Sequence, residues 1–136
     1  GRKSPLRRDV LEAMDYLRDE TKDNTGGILN ICLNYGGQSE IVDATKDIVK
    51  DVLEGKISKE EITPDLFKKY LYQDLPPVDL MIRTGGDVRV SNFLLWQIAY
   101  AEMYFPNCFW PDFDAKEFDK ALDAYNGRER RFGGGK

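Results

Sequence analysis

Residues 83–91 read RTGGDVRVS, and their types and spacing suit holding a phosphate or diphosphate group. Arg83 and Arg89 can each grip phosphate oxygens through a planar, bidentate fork. Gly85-Gly86 between them lets the backbone approach a ligand closely and present its N–H groups. Ser91 is expected to open a helix, and a helix N-terminus favours an anion. The same residues have plainer uses: ion pairs to Asp79 and Asp87 for the arginines, N-capping for Ser91. For Ser91 the two readings are compatible. A second pair, Gly36-Gly37, follows Asn34-Tyr35 and by itself reads as a tight turn into a helix.

Glu102 is the other candidate. It lies within a largely apolar run, residues 92–104, that reads as a buried helix. A carboxylate in that setting costs several kcal/mol unless it is paired or metal-bound. Two readings stay open: a buried ion pair with an arginine, or a Mg²⁺ ligand beside a diphosphate. Trp96, Tyr100 and Trp110 read as core, and Asp114 as an N-cap. The sequence has no histidine. Chemistry done by this chain alone therefore falls to carboxylates, Arg, Lys, Tyr or a metal.

The 136 residues, 41% hydrophobic and 32% charged, fit one globular domain or part of one. A net charge of −4 argues against a general nucleic-acid binder. The last nine residues run against that average, with four basic groups and one acid. Such a tail is either simply solvated or reaches an anionic site. Cys32 and Cys108 lie in apolar runs, outside any Cys-x-x-Cys pair, and read as buried free thiols of a reducing cytosol. No apolar run is long enough to span a membrane. The chain opens at Gly1, not Met, and reads as a processed or truncated piece.

Certain elements must position these groups. Ser4-Pro5 reads as the start of a helix ending near Lys22, with Leu6, Val10, Leu11, Met14 and Leu17 as its apolar stripe. Residues 28–35 (ILNICLNY) read as a strand buried on both faces. A second helix, 39–54, turns Ile41, Val42, Thr45, Ile48, Val49 and Val52 inward and ends at Gly55. Ser58 and Glu61 have capping-box spacing. Thr63-Pro64 opens a third helix, which carries Leu66, Phe67, Tyr70 and Leu71. Residues 78–82 (VDLMI) read as a second buried strand, joined to the first by a right-handed parallel crossover. A third short strand is expected at 108–110, and a last helix from Asp114 to Gly127. The fold class is α/β: a parallel sheet flanked by helices, with three strands and about five helices.

The run that begins at Asp79, DLMIRTGGDVRVSNFLLWQIAYAEMYFPNCFWPDF, closely resembles the carboxyl-terminal signature of bacterial undecaprenyl diphosphate synthases, which are cis-prenyltransferases. NYGG at 34–37 and RERRFGG at 128–134 are similar to two further family motifs. The similarity covers residues 4–134. It implies an enzyme that condenses isopentenyl diphosphate onto an allylic diphosphate such as farnesyl diphosphate, making one cis double bond per round and ending in a long-chain polyprenyl lipid carrier. Carried over residue by residue, Arg83, Arg89 and Ser91 hold the diphosphate of isopentenyl diphosphate, and Glu102 helps to bind Mg²⁺. Arg131 and Gly133 match an Arg-x-Gly arm that reaches into the neighbouring subunit of a homodimer. A cytoplasmic enzyme with peripheral membrane contact through its lipid product is implied.

Gln38 stands where the family often has arginine, and Val88 where some members have a histidine or another polar residue. Neither is assigned a role. The family's Asp-Gly-Asn-Gly-Arg-Trp loop, with its essential aspartate, and its Ser-Glu-Asn-Trp-type segment have no counterpart here. The chain is therefore expected to be the carboxyl-terminal part of a single cis-prenyltransferase domain, with the allylic half absent, and not to catalyse elongation alone. Two rivals exist. A non-catalytic partner subunit tends to lose the diphosphate-binding residues, and all four candidates are present. A small nucleotide-binding module needs a glycine fingerprint that neither Gly-Gly loop fits.

Overall fold

The computed structural model describes residues 1–128. The chain divides into two compact units, Gly1–Tyr72 and a second that begins at Gln73. It is α/β, with a parallel sheet and helices.

The first unit is helical. Helix α1 spans Arg8–Thr21. It starts later than Ser4-Pro5 suggested, because those two residues form a turn and Arg7 takes the N-cap position. Leu6, Val10, Leu11 and Met14 are half-buried, whereas Leu17 is exposed. Helix α2 spans Gly37–Leu53, and Gly55 follows it with φ +71°, as a left-handed stop requires. Its buried stripe is Gly37, Glu40, Ala44 and Ile48. The expected inward face is thus rotated: Val42, Thr45 and Val49 are exposed. Glu40 can lie on that stripe because its carboxylate is satisfied. It accepts from the Tyr35 hydroxyl at 2.5 Å and from the Tyr72 backbone N–H at 3.1 Å.

The capping signals at Ser58 and Thr63 read correctly, unlike the one at Ser4. Ser58 and Glu61 form a reciprocal capping box, though around a single 3₁₀ turn, Lys59–Glu61. Thr63 accepts from the Leu66 N–H and opens α3, Pro64–Lys69, which packs on α2. The Tyr70 hydroxyl donates to Asp51 of α2 at 2.8 Å.

Residues 28–35 do not form the expected strand. Ile28 and Leu29 are each 84% exposed, and Cys32 is exposed too. A strand buried on both faces needs neighbours in a ladder, and among the described residues no strand pairs with this segment. The crossover expected from it to the next strand has no first strand to leave from.

The second unit holds the sheet. Strands β1 (Leu80–Ile82) and β2 (Glu102–Tyr104) run parallel, with Leu80 opposite Glu102 and Ile82 opposite Tyr104. The long helix expected at 92–104 is absent: turns fill most of the stretch, and its last three residues are β2. The third strand expected at 108–110 gives way to a 3₁₀ turn, Trp110–Asp112, where Trp110 is 75% exposed and is not core. Helix α4, Ala115–Asn126, begins as expected, with Asp114 accepting from the Glu117 N–H at 3.0 Å, and packs on β2.

One charged cluster ties the first unit together. Asp43 of α2 accepts from Arg2 Nε and Nη2, both at 2.8 Å, and from the Tyr72 hydroxyl at 2.6 Å. The Arg2 hydrogen bonds, then the Tyr72 bond, hold the Asp43 carboxyl well below its ordinary value of 3.8. A depressed carboxyl contributes stability above its unfolded value and loses it as pH falls through the folded one. Asp43→Asn should therefore lower the urea midpoint at pH 7, and the gap to the parent should close as pH drops below about 4. A gap constant from pH 7 to pH 3, followed by circular dichroism, would show that the charge contributes nothing.

Candidate functional site

The site grows from the carboxyl end of β1. Backbone bonding does not stop at Ile82. The Arg83 N–H donates to the Tyr104 carbonyl at 3.0 Å, Gly85 to Cys108 at 2.7 Å, and Gly86 to Pro106 at 3.3 Å. Backbone pairing thus carries residues 83–86 alongside 104–108. Gly85 and Gly86 sit at φ +94° and +75°, a region closed to most side chains. Asn107 was not singled out from the sequence, yet its amide oxygen would lie 2.6 Å from any Cβ at Gly86. The signal for it was the strand register, which brings 106–108 opposite the glycines.

These hydrogen bonds correct one expectation. The N–H groups of Gly85 and Gly86 are spent on carbonyls of 106–108 and are not presented to a ligand. Gly-Gly here shapes the turn, and anion capture falls to side chains. A second correction concerns Ser91, which does not open a helix. Ser91, Asn92 and Leu94 have φ of +46°, +63° and +46°. No helix dipole is available, so Ser91 contributes a hydroxyl from a tightly coiled turn.

That turn brings three of the expected residues together. Arg83 Nη1 donates to the Ser91 hydroxyl at 2.6 Å and to the Arg89 carbonyl at 2.8 Å. Arg83 Nη2 faces Asp87 Oδ2 at 3.4 Å, and Arg89 Nη2 pairs with the same oxygen. Of the two acids weighed as plain partners for the arginines, Asp87 is the one seen with both. The Arg83 side chain is 26% exposed and that of Arg89 63%, so one guanidinium is anchored and the other is open to solvent. Two guanidiniums and a hydroxyl over one short loop can hold several oxygens of one anion.

Glu102 stands apart from this cluster. It is the first residue of β2, not part of an apolar helix, and lies two register steps, about 7 Å, from the pair Ile82–Tyr104. Its carboxylate accepts from Arg128 Nη1 at 2.7 Å and is 22% exposed. The arginine pair weighed from the sequence is thus formed, though at a partly open site. Among the described residues no group of three or more His, Cys, Asp or Glu side chains could hold a metal. A single carboxylate still fits Mg²⁺, which keeps waters and takes further ligands from substrate phosphates. Arg131 and Gly133 lie outside the described residues.

The motif at 34–37 serves structure. Asn34, at φ +46°, donates its side-chain amide to the carbonyls of Arg2 and Ser4 at 2.9 and 3.0 Å. Tyr35 is the partner of buried Glu40.

The family model for undecaprenyl diphosphate synthases matches residues 1–133. The chain belongs to this family. It is 53% identical to an isoprenyl transferase of Fusobacterium nucleatum, over 98% of this chain and 56% of that protein. It is 50% identical to a farnesyl-diphosphate-specific ditrans,polycis-undecaprenyl-diphosphate synthase of Acinetobacter baylyi, covering 98% of this chain and 54% of the relative. A crystal structure of lavandulyl diphosphate synthase from Lavandula x intermedia, in complex with dimethylallyl diphosphate, matches with a TM-score of 0.93 at 34% identity, over 98% of this chain and 58% of that one. The chain therefore spans about half the length of the curated relatives it matches. No helix among the described residues is long and apolar enough to cross a membrane.

The glycine turn has a direct test. Gly86→Ala would place a side chain at φ +75° against the Asn107 amide. A left-handed residue other than glycine costs about 1–2 kcal/mol. The urea midpoint should fall accordingly, and an unchanged midpoint would mean that the loop relaxes without cost.

Proposed function

We propose that this chain is the isopentenyl-diphosphate side of a cis-prenyltransferase that builds a long-chain polyprenyl diphosphate lipid carrier. The observation that carries the reading is the convergence of Arg83, Arg89 and Ser91 over one glycine turn. Family membership supports it, as does the farnesyl diphosphate specificity in the name of the Acinetobacter relative. Farnesyl diphosphate is the proposed allylic partner.

In the whole enzyme the allylic C–O bond breaks and diphosphate leaves. The isopentenyl double bond supplies the electron pair for the new C–C bond. Loss of a proton then leaves a cis double bond. The part of this chain is to bind and orient. Arg83 and Arg89 fix the isopentenyl diphosphate, and Ser91 adds a hydroxyl at the anchored end. Mg²⁺, held by Glu102 and the substrate phosphates, would neutralise diphosphate charge. The allylic diphosphate needs a second anion site with an acid of its own, which these residues do not supply, so this chain by itself is proposed not to elongate. The Arg131-x-Gly133 arm is proposed to complete the partner's site in a cytoplasmic homodimer.

In the full-length enzyme, Arg83→Ala and Arg89→Ala should each raise KM for isopentenyl diphosphate roughly ten- to a hundredfold, the equivalent of one charge-assisted hydrogen bond. The assay is incorporation of labelled isopentenyl diphosphate onto farnesyl diphosphate. Unchanged KM in both variants would defeat the assignment.

Glu102→Gln should slow turnover and flatten the response to Mg²⁺, with the unfolding midpoint little changed because a partly exposed ion pair is worth about 1 kcal/mol or less. Normal kinetics with a large loss of stability would leave Glu102 as the structural partner of Arg128 alone.

A further inference from the structure

We infer that Asp87 is a resident counter-anion of this site, its carboxylate standing where an incoming phosphate binds and setting how tightly that phosphate is held. The inference rests on the reading of Arg83 and Arg89 as anion ligands. The geometry is specific. Both guanidiniums aim Nη2 at one atom, Asp87 Oδ2. The Nη1 edge of Arg83 is committed to the Arg89 carbonyl and the Ser91 hydroxyl. The Nη2 edge is thus the one directed at an anion, and in the free chain that anion is Asp87.

Asp87 is also placed to give way. Its side chain is half-exposed, it sits on the loop directly after Gly86, and it follows two glycines with positive φ. Because it is tethered, it competes with any free anion at high effective concentration. When a phosphate enters, the carboxylate moves to water and the two cations are neutralised by the ligand instead. Removing the Asp87 charge therefore acts mainly on the free state. It leaves two guanidiniums facing each other unneutralised, whereas the bound state keeps the ligand's charge. Affinity for the anion should rise. The Val88 side chain beside it is 77% exposed and brings no charge of its own, so Asp87 is the only acid within this loop.

Isothermal titration of the full chain with inorganic pyrophosphate tests the inference, using the parent, Asp87→Asn and Arg83→Ala at two salt concentrations. Asparagine keeps an oxygen that can accept from Arg89, so the arginine retains a partner while the charge is gone. Asp87→Asn should bind about two- to fivefold tighter, the range of an exposed ion pair, and should depend more steeply on salt. Arg83→Ala should bind roughly tenfold more weakly or worse. Loss of binding in Arg83→Ala, with Asp87→Asn equal to or weaker than the parent, overturns the counter-anion role and leaves the arginine site standing. If the parent binds no pyrophosphate, or binds it no better than Arg83→Ala, the arginine site fails and the role of Asp87 fails with it.

Discussion

The candidate site depends on backbone bonds that continue, as a crossed turn, past the end of a short parallel ladder. Three residues on each side count as β-structure, yet backbone bonds continue from Arg83, Gly85 and Gly86 to the carbonyls of Tyr104, Cys108 and Pro106. That extension fixes where the Arg83 Cα sits and forces both glycines into positive φ. With Arg83 held from the backbone, its guanidinium can in turn hold the 89–91 turn through a carbonyl and a hydroxyl. The order of dependence runs from sheet register to glycine turn to arginine to serine. Each step is a hydrogen bond, so the site is organised by hydrogen bonding more than by a packed core.

How much of this was legible in the sequence follows from where the information resides. Caps are local, and the Ser58–Glu61, Thr63 and Asp114 signals all appear in the structure. The Arg-Gly-Gly-Arg-Ser constellation was legible because residue type and short spacing suffice to bring it together. Residues 28–35 and 92–104 were misread for a different reason. A short apolar run cannot be assigned to helix or strand by periodicity, and its fate is decided by partners distant in sequence. The end of 92–104 became a strand because Leu80 to Ile82 pairs with it, and 28–35 has no such neighbour among the described residues.

Helix α2 teaches a related lesson about polarity. A pattern that assigns every aliphatic residue to the core places Val42 and Val49 inward. The structure instead buries Glu40 and leaves those valines about half-exposed. A buried carboxylate is tolerable only if its oxygens are met, and Tyr35 and Tyr72 meet them. The tyrosine in the 34–37 motif thus acquires a physical reason that hydrophobic periodicity could not supply.

The charges in the second unit share one design. Arg83 and Arg89, the proposed anion ligands, are paired with Asp87, and Glu102, the proposed cation ligand, with Arg128. None of these pairs is deeply buried, so each is worth about 1 kcal/mol or less. A charge-assisted hydrogen bond to a ligand contributes about 1.5–3 kcal/mol. The proposed exchange of an internal partner for a phosphate would thus part only weak pairs, while the free chain avoids bare clustered charge. Had the same groups been buried, breaking each pair would cost about 3–5 kcal/mol and the internal partner would win. Partial exposure keeps the cost of parting these pairs low, which the proposed binding role requires.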